Sequence, residues 1–271
     1  MCGAYPCRAV CIARSVLETP LHAPIVTHTR TIRIGTTEAL AGHLVEHLCQ
    51  VVEAAVAARG RCTLAIPGGS VAGVVLPRLS QRALPWHAVQ VFWCDERAVP
   101  LADHDSNAGS ALRLVAHSLL TEQAALHLMR GDADDLPAAA RDYAAALAVV
   151  AGRPPVLDVV LLGVGEDGHV ASLFPGHVVD SEPPTTVLLV VNAPKAPPTR
   201  LSLSLSTLTA ARETIVMAFG SSKATAVHGA LEGTSPPTPL ARIVRESRRL
   251  LMLLDPHAAA LLEHTPVEKL A

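Results

Sequence analysis

The segment Gly163-Val164-Gly165-Glu166-Asp167-Gly168-His169 places three glycines, an acid and a histidine directly after the apolar run Leu157–Leu162. A neutral imidazole in such a loop can take a proton from water near pH 7. Asp167, two residues earlier, either steadies the imidazolium form or caps the turn. The chain has 13 histidines, so the residue type alone says little, and position sets His169 apart. A second charged group, Asp95-Glu96-Arg97, follows the apolar run Val89–Trp93. It reads either as a solvated rim or as two carboxylates and a guanidinium gathered over a strand end, where an anionic sugar can bind.

Two further segments suit anion binding. Pro67-Gly68-Gly69-Ser70 follows the short apolar run Thr63–Ile66. Glycines there let backbone N–H groups approach an anion, and a following helix adds the positive end of its dipole. The same residues also make a plain strand-to-helix turn, and their spacing is neither a P-loop nor a dinucleotide fingerprint. Lys195 and Arg200 sit in the proline-stiffened Asn192-Ala193-Pro194-Lys195-Ala196-Pro197-Pro198-Thr199-Arg200. Only three of the 22 basic residues are lysines, which makes Lys195 a mildly unusual choice for a surface loop.

The elements that must position these groups alternate between two periods. Leu40, Leu44, Leu48, Val51, Val52 and Ala55 form a helical stripe that Gly60 is placed to end. A second helix is expected from Val71 to about Ser80, a third behind an N-cap at Ser106, a fourth over Pro137–Val150 and a fifth between Ser221 and Leu231. Besides the runs named above, strands are expected at Val187–Val191, Leu201–Leu205, Thr214–Phe219 and Leu250–Leu254, and Thr234–Pro239 reads as a loop. Continuous apolar strands alternating with amphipathic helices predict an α/β fold, a largely parallel sheet covered on both faces. Sites in such sheets lie beyond the carboxyl ends of the strands, where all four chemical segments fall.

Composition narrows the classes. Half of the 271 residues are hydrophobic and 17% are charged, which is ample material for a core. The net charge of −2 gives no basic footprint for nucleic acid or an anionic membrane, and no apolar run reaches bilayer length. The six cysteines form no Cys-x-x-Cys pair and no zinc spacing, so reduced thiols in a cytoplasmic protein are expected. Residues 1–30 are set aside as an N-terminal extension, either a presequence or a frayed end, and residues 31–271 are expected to form a single domain.

Taken together the segments resemble the 6-phosphogluconolactonase family. The resemblance rests on Pro67-Gly68-Gly69-Ser70, on Trp93-Cys94-Asp95-Glu96-Arg97-Ala98-Val99-Pro100 with Asp105-Ser106-Asn107, and on Gly163 through Gly176, in which Ser172-Leu173-Phe174-Pro175 follows Asp-Gly-His. Pro194-Lys195 to Arg200 and Gly220 to Lys223 agree with it, and it spans about Thr36 to Leu262. It implies a Rossmann-like sandwich shared with glucosamine-6-phosphate isomerases. It also implies hydrolysis of 6-phospho-D-glucono-1,5-lactone to 6-phosphogluconate, the second step of the oxidative pentose phosphate pathway, with no metal or organic cofactor.

By the same resemblance His169 is the general base, Asp167 orients it, and Asp95 and Arg97 belong to the catalytic group. Gly68, Gly69, Ser70, Lys195 and Arg200 would hold the 6-phosphate. The implied partner is the small-molecule substrate, bound by a monomer or small homo-oligomer. Pro67, Val71 and Cys94 depart from residues common in the family; at Val71 a backbone contact survives but a side-chain hydroxyl contact does not. The isomerases typically continue Phe-Asn-Glu-Pro where this chain has Ser172-Leu173-Phe174-Pro175, and they tend to have an aromatic residue in place of Arg97. Both differences favour the lactonase side.

Overall fold

In the computed structural model the described residues are 28–177, 185–233 and 237–270. Most of the N-terminal segment, with Cys2, Cys7 and Cys11, lies outside them. Among the described residues there are eleven strands: β1 (Thr29–Ile34), β2 (Cys62–Ile66), β3 (Val89–Trp93), β4 (Asp95–Arg97), β5 (Ala125–His127), β6 (Val159–Gly163), β7 (Val187–Val190), β8 (Arg200–Leu203), β9 (Glu213–Ala218), β10 (Arg249–Leu254) and β11 (Glu268–Lys269). Eight of them make one sheet in the order β11-β1-β10-β9-β6-β2-β3-β5. Every neighbouring pair in it is parallel.

The helices that cross between strands are α1 (Thr37–Arg59), α2 (Gly69–Leu79), α3 (Asn107–Leu114), α4 (Leu119–Gln123), α5 (Leu136–Ala151), α6 (Leu205–Thr209), α7 (Ala224–Leu231) and α8 (Pro239–Glu246). Their ends follow capping chemistry. Thr36 accepts the Ala39 amide and Gly60 closes α1 in the left-handed region, while Ser106 accepts the Gly109 amide at the start of α3.

Because side chains alternate along a strand, the sheet splits its apolar residues between two cores. Leu64, Val91, Trp93, Leu161 and Met217 face α1, α2, α3 and α4. Ala65, Phe92, Leu162, Val216 and Met252 face α5, α6, α7 and α8. Each fully buried Leu or Phe contributes roughly 1.5–3 kcal/mol. The three cysteines within the described residues, Cys49, Cys62 and Cys94, are free and buried. Burial pushes the Cys62 thiol up to about 12, which keeps it out of thiolate chemistry.

Several expectations need correction. Thr29 and Arg30 belong to β1, so the sheet begins inside the segment set aside as an extension. Val187–Val191 and Leu201–Leu205 do not join the parallel sheet: β8 pairs antiparallel with both β4 and β7 in a separate sheet of order β4-β8-β7, and Leu205 opens α6. The loop expected over Thr234–Pro239 gives way at Pro239, which starts α8 behind the Thr238 N-cap; residues 234–236 lie outside the described ones. β1, β5 and β11 are short or polar and carry no clear period.

Candidate active site

Chain order reverses between β2 and β6. From β2 the chain steps outward to β3 and β5, and from β6 it steps the other way to β9 and β10. Such switch points leave a crevice past the carboxyl ends of the strands. The β2–β6 register covers only Leu64–Val159 and Ala65–Val160, so the strands part just before Pro67 and Gly163. The cleft above them has a volume of about 190 Å³ and opens to solvent, and Gly68, Ser70, Asp95, Arg97, His169 and Arg200 line it.

His169 comes from the loop after β6. Its Nδ1 lies 2.5 Å from Asp167 Oδ1, and its backbone N–H donates to the same oxygen at 3.3 Å. The imidazole is 18% exposed. Burial lowers its pKa below the usual histidine value against the opposing pull of Asp167, and the Lys195 charge adds to the lowering. At neutral pH the ring is therefore a free base. Burial works to raise the Asp167 carboxyl, but the hydrogen bond and charge of His169 outweigh it and leave it lowered. The Phe174 ring packs on the imidazole with centroids 4.6 Å apart, and α8 braces the loop through the Leu240 amide, which donates to the Gly168 carbonyl.

Asp95-Glu96-Arg97 is no solvated rim. It forms β4, and both acids are buried. Asp95 accepts from the Ser172 hydroxyl at 2.6 Å and from Asn107 Nδ2 at 3.1 Å. Glu96 turns inward and receives the amides of Arg97, Asn107 and Ala108 and the Ser106 hydroxyl. It anchors the positive end of α3. Arg97 pairs with neither acid: its Nη1 donates to the Asp105 carbonyl at 2.6 Å, and its buried Nε has no hydrogen-bond partner among the described residues. The β4–β8 register sets Arg97 directly opposite Arg200. Two guanidinium groups facing one cleft repel each other, and an anion between them relieves that repulsion.

The glycine turn supplies a third anion-seeking group. α2 starts at Gly69 with no side-chain cap and no acid in its first turn, so its leading N–H groups are open to a ligand. Gly68 is required by its neighbour, since a Cβ there would sit 1.8 Å from Asn107 Oδ1.

The two cations of the proline loop part company. Arg200 is buried; it donates Nε to the Pro197 carbonyl and Nη2 to the carbonyls of Lys195 and Ala196. Its Nη1 reaches the Ser172 hydroxyl at 3.4 Å. Lys195 is exposed and is not among the residues lining the cleft. Lys223, given no role by the sequence reading, does line it and lies 3.8 Å from Glu166. Asn107 and Ser172 are also additions, because their polar partners come from other loops. Both stand inside the quoted motifs, which was the one available signal.

The fold and cleft together define a parallel-sheet α/β protein with a histidine-bearing, anion-accepting site at the sheet's switch point. The family described as glucosamine-6-phosphate isomerases/6-phosphogluconolactonase matches residues 35–252. A 6-phosphogluconolactonase of Streptomyces coelicolor is 36% identical over 236 residues, which covers 82% of this chain and 89% of the relative. The structure of 6-phosphogluconolactonase from Trypanosoma brucei superposes with a TM-score of 0.72 at 29% identity, covering 88% of this chain and 99% of that one. A monomeric glucosamine-6-phosphate deaminase reaches the same TM-score of 0.72 at 20% identity, covers 86% of this chain and 100% of its own, and shares the fold. The chain belongs to the glucosamine-6-phosphate isomerase/6-phosphogluconolactonase family, and it is an enzyme of the lactonase side of that family. Among the described residues no helix is long and apolar enough to cross a membrane.

Proposed function

We propose that this cleft hydrolyses 6-phospho-D-glucono-1,5-lactone to 6-phospho-D-gluconate, the second step of the oxidative pentose phosphate pathway, with His169 as general base. The observation that carries the mechanism is the His169–Asp167 pair at 2.5 Å, with the imidazole lining a cleft rich in anion-binding groups. Asp167 holds Nδ1, which leaves Nε2 for a water. His169 takes a proton from that water as its oxygen bonds to the lactone carbonyl carbon. The carbonyl oxygen becomes negative, and Arg97 is the guanidinium placed to stabilise it or to hold the sugar. The ring C–O bond then breaks, and the imidazolium returns the proton to the departing ring oxygen.

The phosphate end needs fixed donors. The open amides of the Gly68-Gly69-Ser70 turn, with Arg200 and Lys223, supply them from the cleft lining, and the exposed Lys195, whose charge acts on His169, adds to the positive field. Holding the phosphate places the reacting carbon at the other end of the sugar. The scheme draws on backbone amides, side chains and water. An isomerase would need another acid or base beside the sugar carbons. This chain has Phe174 against the imidazole instead, where the isomerases typically carry the glutamate of Phe-Asn-Glu-Pro.

The test is turnover of freshly generated lactone, scored above spontaneous hydrolysis, by the wild type and by His169→Ala and His169→Asn. Loss of a positioned base is expected to lower kcat by ~10²–10⁴-fold with the melting temperature little changed. Wild-type kcat in His169→Ala would overturn the assignment.

A further inference from the structure

We propose that Phe174 is a positioning residue whose ring contacts both the imidazole of His169 and the guanidinium of Arg200 and holds both in register. This rests on the hydrolytic reading of the cleft and assigns work to a residue that the reaction scheme leaves untouched. The ring centroid lies 4.6 Å from that of His169 at an interplanar angle of 38°, and the Arg200 Cζ lies 5.4 Å from the ring centroid. Phe174 is 1% exposed and forms a small apolar cluster with Val190, Ala193 and the flank of Leu188. One side chain therefore ties the loop after β6 to β7 and to the loop that carries the cations.

The chemistry of the ring suits both neighbours. An aromatic face is electron-rich and attracts a cation. Arg200 is a permanent cation, and His169 becomes one only as it takes the proton from water. The same ring covers the imidazole from solvent, and burial is the largest cause of its lowered pKa. The charged groups that act on His169 are Asp167, Lys195 and Asp95, and none of them is altered by changing Phe174. His177 meets the Phe174 ring at 6.0 Å, edge to face. Arg200 is held by carbonyl groups at Nε and Nη2, and its Cζ lies over the Phe174 ring.

The experiment titrates the His169 imidazole by NMR in wild type, Phe174→Ala and Phe174→Leu, alongside kcat and KM as functions of pH. In Phe174→Ala water reaches the imidazole. The His169 midpoint is expected to rise toward the ordinary histidine value, and the acid limb of kcat/KM should move up with it. Phe174→Leu keeps an apolar plug but removes the aromatic face. It is expected to lose about tenfold in kcat/KM, divided between a lower kcat from His169 and a higher KM from Arg200, with little change in melting temperature. A folded Phe174→Ala with an unmoved His169 midpoint would overturn the proposal. So would wild-type kcat and KM in Phe174→Leu, and that variant decides the matter if Phe174→Ala fails to fold. The NMR midpoint is independent of substrate, so a moved midpoint in a protein that does not hydrolyse the lactone sinks the hydrolytic reading alone.

Discussion

The imidazole of His169 occupies the space that a side chain at residue 165 would need. A Cβ on Gly165 would lie 1.9 Å from His169 Nδ1, and the two residues are joined by a bond from the Gly165 amide to the His169 carbonyl at 2.9 Å. The turn thus closes on itself, and the absence of a side chain at its start lets Asp167 and His169 meet. Gly165→Ala is expected to push the ring off Asp167. A misplacement near 1 Å can cost about 10²-fold in rate, so kcat should fall about that far while thermal unfolding shifts little. Unchanged kcat in this variant would show that the turn tolerates the ring elsewhere.

Arg200 and Lys195 should behave differently. Arg200 holds three carbonyls and a hydroxyl with a planar fork that lysine does not reproduce. Arg200→Lys is expected to raise KM for the phosphorylated lactone about tenfold or more, and to lower stability by about 1–3 kcal/mol as carbonyls are left unpaired. Lys195→Ala removes an exposed charge and should raise KM less. Because the Lys195 charge lowers the His169 pKa, its loss should raise that pKa and move the acid limb of kcat/KM to higher pH. Rate–pH profiles of the two variants on phosphorylated and unphosphorylated lactones check both statements.

Arg97 separates charge from shape. Its anchor on the Asp105 carbonyl, at 2.6 Å, aims the guanidinium into the cleft opposite Arg200. Arg97→Lys keeps the charge and loses the fork. A transition-state contact of about 3–4 kcal/mol would then weaken enough to lower kcat by at least about tenfold, with a smaller change in affinity for 6-phosphogluconate. Wild-type kcat with an unchanged melting temperature would limit Arg97 to a structural part.

Acid sensitivity should trace to Glu232 at the end of α7. Its carboxylate accepts the Thr265 hydroxyl and the amides of Glu263, His264 and Thr265, which pins the segment leading to β11. The Thr265 hydroxyl above all, with these amides, brings its pKa from 4.5 down to about 2. A folded value below the unfolded one means stabilisation that is present above about pH 4.5 and lost as pH falls toward about 2. Glu232→Gln is expected to melt earlier at pH 7 and to show a flatter melting profile across that acid range. Parallel wild-type and variant melting curves would remove Glu232 from the account.

The sequence by itself determined the helices with strong stripes and caps, such as Thr37–Arg59 between Thr36 and Gly60. It also determined the continuous strands β2, β3, β6, β9 and β10, because period and capping are local properties. It marked the chemical segments, since glycines and charges directly after apolar runs fall at strand ends in any parallel sheet. Tertiary structure alone decided where those ends meet. The opposition of Arg97 and Arg200 depends on pairing two strands about a hundred residues apart, and no local pattern shows that register. The same holds for Glu96, whose partners on α3 turn a residue that reads as surface charge into a buried helix anchor. The exposed Lys195 and the buried Arg200 look alike in sequence. Burial distinguishes them, because the carbonyls that surround Arg200 are placed only when the loop closes over β8.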